Sequence, residues 1–244
     1  MLKYFKQKYG FCKLKKAFWK DYDILYTQSA KISERFSLKR NEVMPCYWDK
    51  TSNTDYDHHY VLHTAWALRK AKEIKPCKHI DISSSLYFCT ALSAFLPVEF
   101  YDYRPADVHL SDLKTAHADL TNLPFESNSI NSISCMHTVE HIGLGRYGDP
   151  IDYDGDFKAV SELKRVTAIG GNMLFVVPLG KPKIIFNAHR IYSYKQITEM
   201  FEGWKLKEFS LISDDDKGGE LIINANEETA NEQNYGCGCF WFIK

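Results

Sequence analysis

The most constraining feature of this 244-residue chain is a short apolar strand pattern that runs into small residues. His79-Ile80-Asp81-Ile82 leads into Ser83-Ser84-Ser85, an apolar helix-like run follows, and a second strand, Val98-Glu99-Phe100-Tyr101-Asp102-Tyr103, ends in a carboxylate. A strand feeding a helix through a small-residue loop, with an acid about 20 residues on, is how α/β proteins hold a nucleoside. The helix N-terminus offers N–H groups to an anion and the acid accepts from ribose hydroxyls. Asp81 and the Ser83, Ser84 and Ser85 backbone and hydroxyls are therefore candidate ligand contacts. Ser85, directly before Leu86, is equally placed to cap the helix with no ligand involved. Serines stand where the nucleotide fingerprint has glycines, so the loop alone identifies a site weakly.

Beyond residue 78 strand and helix patterns alternate. Strands are expected at 78–82, 98–103, 115–118, 130–136, 172–178, 204–212 and 239–243, and helices at 86–96, 156–167 and 194–201. Such alternation calls for an α/β fold, a Rossmann-like, mostly parallel sheet covered on both faces, here with an antiparallel last strand. Residues 1–75 read as a helical N-terminal extension, with helices near 2–20 and 55–73, and residues 76–244 as the sheet domain. The polar segment 213–236 reads as a loop in which Glu220-Leu221-Ile222-Ile223 is a candidate short strand.

A hydrophobic content of 45% suits a globular core, no apolar stretch is long enough to cross a bilayer, and the N-terminus lacks the apolar core of a secretory signal. Seven cysteines without paired metal-ligand spacing suggest free thiols in a reducing, cytoplasmic setting, and no metal is expected; Cys237-Gly238-Cys239, beside an apolar strand, reads as structural. The zero net charge hides an asymmetry: residues 1–20 carry seven lysines and no acid, leaving minus seven on the remainder. Interleaved with aromatics, that stretch is a candidate for peripheral contact with an anionic membrane, against the simpler reading of a packed helix with snorkelling lysines.

Further passages occur in a fixed order: Asp119-Leu120-Thr121-Asn122-Leu123-Pro124-Phe125, the strand 130–136, His137-Thr138-Val139-Glu140-His141, Arg165-Val166 before Gly170-Gly171, and the strand 172–178. In this order, over roughly residues 76–215, the chain resembles the class I S-adenosylmethionine-dependent methyltransferases. The resemblance implies S-adenosylmethionine as cofactor, Asp102 as the ribose-binding acid with Tyr103 beside it, Asp119 and Leu120 at the adenine, and His137 near the sulfonium. It also implies that the N-terminal extension shapes part of the acceptor pocket. The Gly143-Leu144-Gly145-Arg146-Tyr147-Gly148-Asp149-Pro150 and Asn187-Ala188-His189-Arg190 passages resemble an uncharacterised branch found beside cell-surface polysaccharide genes.

Four residues are candidates for the base that would deprotonate an acceptor hydroxyl: Glu140, His141, Asp149 in a long loop, and His189 after the fifth strand. His137-x-x-Glu140-His141 also spells an inverted zinc-protease motif, but it follows a strand and opens a glycine-containing loop instead of lying in a helix. The expected activity is O-methylation of a small, sugar-like acceptor such as a nucleotide-sugar in surface polysaccharide synthesis. The competing expectation is a catalytically inactive, methyltransferase-like scaffold. Neutral charge and acidic residues at the presumed mouth argue against nucleic acid as partner. The oligomeric state has no signature in the sequence.

Overall fold

The computed structural model describes residues 2–29, 36–214 and 219–244, with side chains from residue 10 onward. Residues 215–218, part of the expected 213–236 loop, and the side chains of Lys3, Lys6 and Lys8 lie outside the described part. Contacts divide the chain into two compact units, Met1–Asp55 and Tyr56–Lys244.

The first unit is built on α1 (Leu2–Ser29), which runs nine residues past the expected end. Its apolar residues do not gather on one face, and Phe11, Ile24, Leu25 and Tyr26 are exposed. Residues 40–50 are tied back to it by Arg40 to Asp23 (3.2 Å) and Lys50 to Asp21 (2.7 Å), while the Arg40 guanidinium lies 4.3 Å from the Trp19 ring centre.

The second unit begins with α2 (His58–Ile74) and continues β1 (His79–Ile82), α3 (Leu86–Leu92), β2 (Val98–Asp102), β3 (Leu113–His117), β4 (Ile130–Met136) and a 3-10 turn (Val139–His141). There follow α4 (Gly155–Val166), β5 (Thr167–Leu179), β6 (Lys183–Ile185), β7 (His189–Ile191), α5 (Tyr194–Met200), β8 (Lys205–Ile212), β9 (Leu221–Ile222), α6 (Glu227–Asn231) and β10 (Gly236–Ile243). The main sheet has the order β3-β2-β1-β4-β5-β10-β8-β9. Strands β3, β2, β1, β4 and β5 are mutually parallel, and β10 runs antiparallel to both β5 and β8. The fold is therefore the Rossmann-like α/β arrangement expected from the alternating pattern. Strands β6 and β7 form a separate hairpin.

Both faces of the sheet are covered, which explains why its central strands read as continuous apolar runs. Along β5, Met173, Phe175 and Val177 join a cluster with Ala159, Val160 and Leu163 of α4 and Ile197 of α5, while Leu174 and Val176 join Trp66, Ala67 and Ala71 of α2 and Phe88 of α3. Alternation of side chains along a strand produces this division. Helix α2 is thus part of the sheet's packing: Trp66 is fully buried and donates its indole N–H to Glu208 Oε1 at 2.9 Å, and Lys70 pairs with Glu208 Oε2 at 2.5 Å. Burying side chains of this size stabilises by about 1.5–3 kcal/mol each. Strand order reverses between β1 and β4, and ligands of open α/β sheets bind outside the strands' carboxyl ends at such a point. No helix among the described residues is long and apolar enough to cross a membrane.

Candidate functional site

The loop after β1 consumes most of its own polar groups. Asp81 is fully buried; its Oδ1 accepts the Ser84 N–H at 3.0 Å, and the Ser134 hydroxyl donates to Oδ2. Burial pushes its carboxyl up to about 6, opposed by those hydrogen bonds. Ser84 is buried and its hydroxyl accepts the Met136 N–H at 2.9 Å, which locks the loop to the end of β4. Ser85 is the N-cap of α3, accepting the Tyr87 N–H at 3.2 Å. Asp81 and Ser84, expected at the ligand, are buried and bonded to the loop and to β4, while Ser85, partly exposed, caps α3. Ser83 lines two cavities described below; its φ of +57° is a left-handed conformation that a glycine would adopt without strain.

Outside the carboxyl ends of β1, β2 and β4 lies a cavity of about 130 Å³, lined by Ser83, Asp102, Tyr103, His137, Thr138, His141 and Tyr147 among others. A second of about 130 Å³ includes Ser83, Tyr103, Asp119, Leu120, Ile142 and Tyr147. Asp102, Tyr103, Asp119 and Leu120 are therefore brought to one cleft, as their positions at strand ends required. Asp102 Oδ1 accepts the Arg104 N–H at 2.7 Å, and Asp119 Oδ1 accepts both the N–H and hydroxyl of Thr121, at 2.8 and 2.7 Å. No ion pair joins Asp102 to Arg104 among the described residues; the Arg104 guanidinium instead lies 4.4 Å from the Tyr147 ring centre.

A third, larger cavity of about 580 Å³ shares His137, His141 and Tyr147 with the first and Tyr147 with the second, and is further lined by His59, Tyr60, Glu140, Arg146, His189 and Tyr235. Three of the four candidate bases meet here. His141 Nδ1 lies 2.6 Å from the Ala188 carbonyl, which only accepts, so Nδ1 carries the proton and Nε2 keeps a lone pair. His189 Nε2 is buried without a hydrogen-bond partner among the described residues, and so is Glu140 Oε2. Burial lowers both histidines' pKa, with Glu140 opposing, and burial pushes the Glu140 carboxyl up to about 7.

Asp149 departs from expectation. Its Oδ2 accepts the Gly143 N–H at 2.8 Å and the Gly145 N–H at 3.3 Å, and its Oδ1 accepts the Tyr147 N–H at 3.2 Å. A carboxylate so occupied staples the loop, and it also lines the second cavity. The same loop needs glycine at 143, where φ is +79° and an added Cβ would lie 2.0 Å from the Asp152 carbonyl oxygen. Arg190 completes the wall: buried, it donates to the carbonyls of Ile142 (2.6 Å) and Tyr153 (3.0 Å), joining β7 to the loop. His137 lines the cleft, but both its ring nitrogens are engaged elsewhere, Nδ1 with Glu140 Oε1 at 3.0 Å and Nε2 with Cys237 Sγ at 3.3 Å.

His59, Tyr60, Arg146, Tyr147 and Tyr235 were not singled out from sequence as site residues. The signal for the first two was Asp57-His58-His59-Tyr60 opening a helix: Asp57 caps α2 by accepting the Tyr60 N–H at 3.0 Å, which sets His59 and Tyr60 at the cavity rim. Tyr235 follows the polar 213–234 stretch and carries no such mark.

A model of the family described as Caenorhabditis protein of unknown function, DUF268, matches residues 92–235. No curated protein matches the chain. Among solved structures, a putative sarcosine dimethylglycine methyltransferase from Galdieria sulphuraria aligns with a TM-score of 0.53 at 12% identity, over 75% of this chain and 85% of that one. A SAM-dependent methyltransferase from Archaeoglobus fulgidus gives 0.52 at 12% identity, over 76% and 94%. A chain of the complex between the Haloferax volcanii Trm112 methyltransferase activator and the putative methyltransferase gives 0.51 at 17% identity, over 77% and 90%. At these identities the likeness is one of fold.

Proposed function

This chain belongs to the family described as Caenorhabditis protein of unknown function, DUF268, and on its fold we propose an S-adenosylmethionine-dependent methyltransferase acting on a hydroxyl oxygen of a small, sugar-like acceptor. The observation that carries this reading is the adjacency of two openings with different chemistry. One, at the ends of β1, β2 and β4, is walled by Asp102, Asp119 and Leu120; the other is a polar cavity rich in histidine, with His137, His141 and Tyr147 between them. The named solved neighbours include proteins called methyltransferases, which supports the same reading.

The residues present fit the cofactor at its nucleoside end. Asp102 suits the ribose hydroxyls, and Leu120 and Tyr103 offer apolar surface to a purine. Bound there, S-adenosylmethionine supplies the electrophilic methyl group. The chain's own part is to place an acceptor hydroxyl in line and take its proton. His141 Nε2 is the proposed acceptor of that proton, since the Ala188 carbonyl fixes the tautomer that leaves its lone pair free. A sugar suits a cavity lined by imidazoles, a guanidinium and phenols better than an apolar acceptor, which would strand those groups without partners. The nucleotide-sugar and polysaccharide setting remains part of this proposal.

A scaffold function is the competing reading, favoured by the Tyr147 ring, which lines all three cavities and divides the cleft. Transfer of an isotope-labelled methyl from S-adenosylmethionine to a panel of sugars and nucleotide-sugars separates the two. On the accepted substrate, His141→Ala is expected to lower turnover by roughly 100-fold or more while retaining affinity for S-adenosylhomocysteine. Equal turnover in that variant would move the base to His189 or Glu140; no labelled product from any acceptor, with no cofactor bound, would favour the scaffold.

A further inference from the structure

We infer that His59, His137 and Cys237 form a binding site for a single thiophilic divalent cation, zinc by its ligand chemistry, on the wall of the 580 Å³ cavity. The inference stands apart from methyl transfer and rests on the side-chain arrangement alone. The three residues come from distant parts of the chain: the first turn of α2, the residue after β4, and the second residue of β10. One ligand-quality atom from each lies within 4.8 Å of the other two. His137 Nε2 and Cys237 Sγ are 3.3 Å apart. Bond lengths of about 2.0–2.1 Å to nitrogen and 2.3 Å to sulfur in a tetrahedral site place such atoms about 3.6 Å apart. The pair is already near that spacing, and His59, half-buried at the rim, has its ligand atom within 4.8 Å of both.

Three further observations point to a ligand and not merely to a packed cluster. His137 presents Nε2 to the site while its Nδ1 meets the buried Glu140 carboxylate at 3.0 Å, the carboxylate–histidine arrangement that orients imidazoles on metals. His137 holds a left-handed backbone, φ +55°, a strained conformation for a residue with a side chain. Close by, fully buried His63 sits with its ring centre 5.0 Å from that of His137. Its Nδ1 lies 2.6 Å from the His59 carbonyl, so Nδ1–H donates and Nε2 is left as a lone pair with no hydrogen-bond partner. A cation drawn into the site would give that region of the interior a positive charge it otherwise lacks.

The donor set selects the cation. Two imidazoles and a thiol disfavour magnesium and calcium, which take oxygen ligands, and suit zinc or cobalt in a four-coordinate site. Three protein ligands leave one position, and His59 and His137 both line the cavity, so that position opens toward it and takes water or an oxygen donor. Cys237 loses its proton on binding, which goes to solvent.

The test uses the full chain, stripped with a chelator and titrated with Co²⁺ and then Zn²⁺. One equivalent of Co²⁺ is expected to produce tetrahedral d–d bands and a thiolate-to-cobalt charge-transfer absorption, both abolished by one equivalent of Zn²⁺. Cys237→Ser is expected to remove the charge-transfer band. His59→Ala, at a half-exposed rim position that leaves the core untouched, is expected to weaken Co²⁺ binding at least tenfold and covers the case in which the buried Cys237 variant does not fold. S-adenosylhomocysteine binding is measured by calorimetry on the same stripped protein, so a failure of the metal site is read independently of the cofactor. Absence of Co²⁺ absorption, a charge-transfer band that survives in Cys237→Ser, or unchanged affinity in His59→Ala would each overturn the inference and leave Cys237 and His137 as a thiol–imidazole hydrogen bond.

Discussion

His79 shows how a single buried residue fixes the protonation of its neighbours. It is fully buried between β2 and β4, with Nδ1 2.8 Å from Ser132 Oγ and Nε2 2.8 Å from Ser134 Oγ. Ser134 spends its hydroxyl proton on Asp81, so its oxygen accepts from Nε2–H; burial disfavours a second ring proton, which leaves Nδ1 to accept from the Ser132 hydroxyl. His79 is therefore neutral, and burial lowers its pKa to about 3. An unfolded histidine takes a proton below about 6.5 and this one does not, so its contribution to stability is complete above 6.5 and is lost as pH falls toward 3. Asp81 acts in the opposite sense: with its carboxyl raised to about 6, its contribution is complete below 3.8 and lost as pH rises through 6. Urea unfolding at pH 7 and pH 5 should show wild type losing about 2 kcal/mol more than His79→Gln between the two values. Equal losses in both proteins would mean that His79 is protonated in the fold. At this scale the sequence was legible in residue type but not in the bonds those residues make to one another. Asp81, Ser84 and Ser85 occupy fingerprint positions, but with hydroxyls in place of glycines the loop satisfies itself, while Asp102 and Asp119, at strand ends where no later element covers them, reach the cleft.

Among the elements, the alternating core of the sheet follows from periodicity: β4 spans 130–136 as expected, α4 is shifted by one residue at each end, and α5 stops one residue early. The hairpin β6–β7 was not legible, because Lys181-Pro182-Lys183 reads as loop and two three-residue strands carry no period of their own. It is held from outside, by Arg190 and by the bond from Ala188 to His141, and it carries His189 into the cavity. The long 143–156 loop was expected beside the site, but its construction, which depends on Asp149 gathering three N–H groups to itself, was not legible. That staple holds Tyr147 across the cleft, 4.4 Å from the Arg104 guanidinium and 5.1 Å from that of Arg146. Each of the two cavities, at about 130 Å³, is smaller than a usual ligand pocket, and Tyr147 is one of the residues lining both, so displacement of its ring is the expected way to join them. Tyr147→Ala removes that step, and stopped-flow mixing with S-adenosylhomocysteine should show faster association than wild type. An unchanged rate would mean that the ring is no barrier.

For the molecule as a whole, sheet order brings the site together. Insertion of β10 between β5 and β8 sets Cys237 beside the end of β4, and packing of α2 on the same face sets His59 opposite it, so a cavity forms from segments 58–60, 137–147, 188–189 and 235–237. Pattern reading recovers the sheet because each strand announces itself locally. It does not recover a cavity whose walls are far apart in the chain, and the Cys237-Gly238-Cys239 passage reads as structural until His59 and His137 are seen beside it. Nucleoside binding is proposed at the cleft at the ends of β1, β2 and β4, through Asp102. Calorimetric titration of the full chain with S-adenosylhomocysteine is the most direct test: wild type is expected to bind one equivalent, and folded Asp102→Ala to lose about 1–3 kcal/mol of binding free energy, the range for emptying a charged hydrogen-bond site. Binding of equal strength in the two proteins, or no heat of binding in wild type, would contradict it.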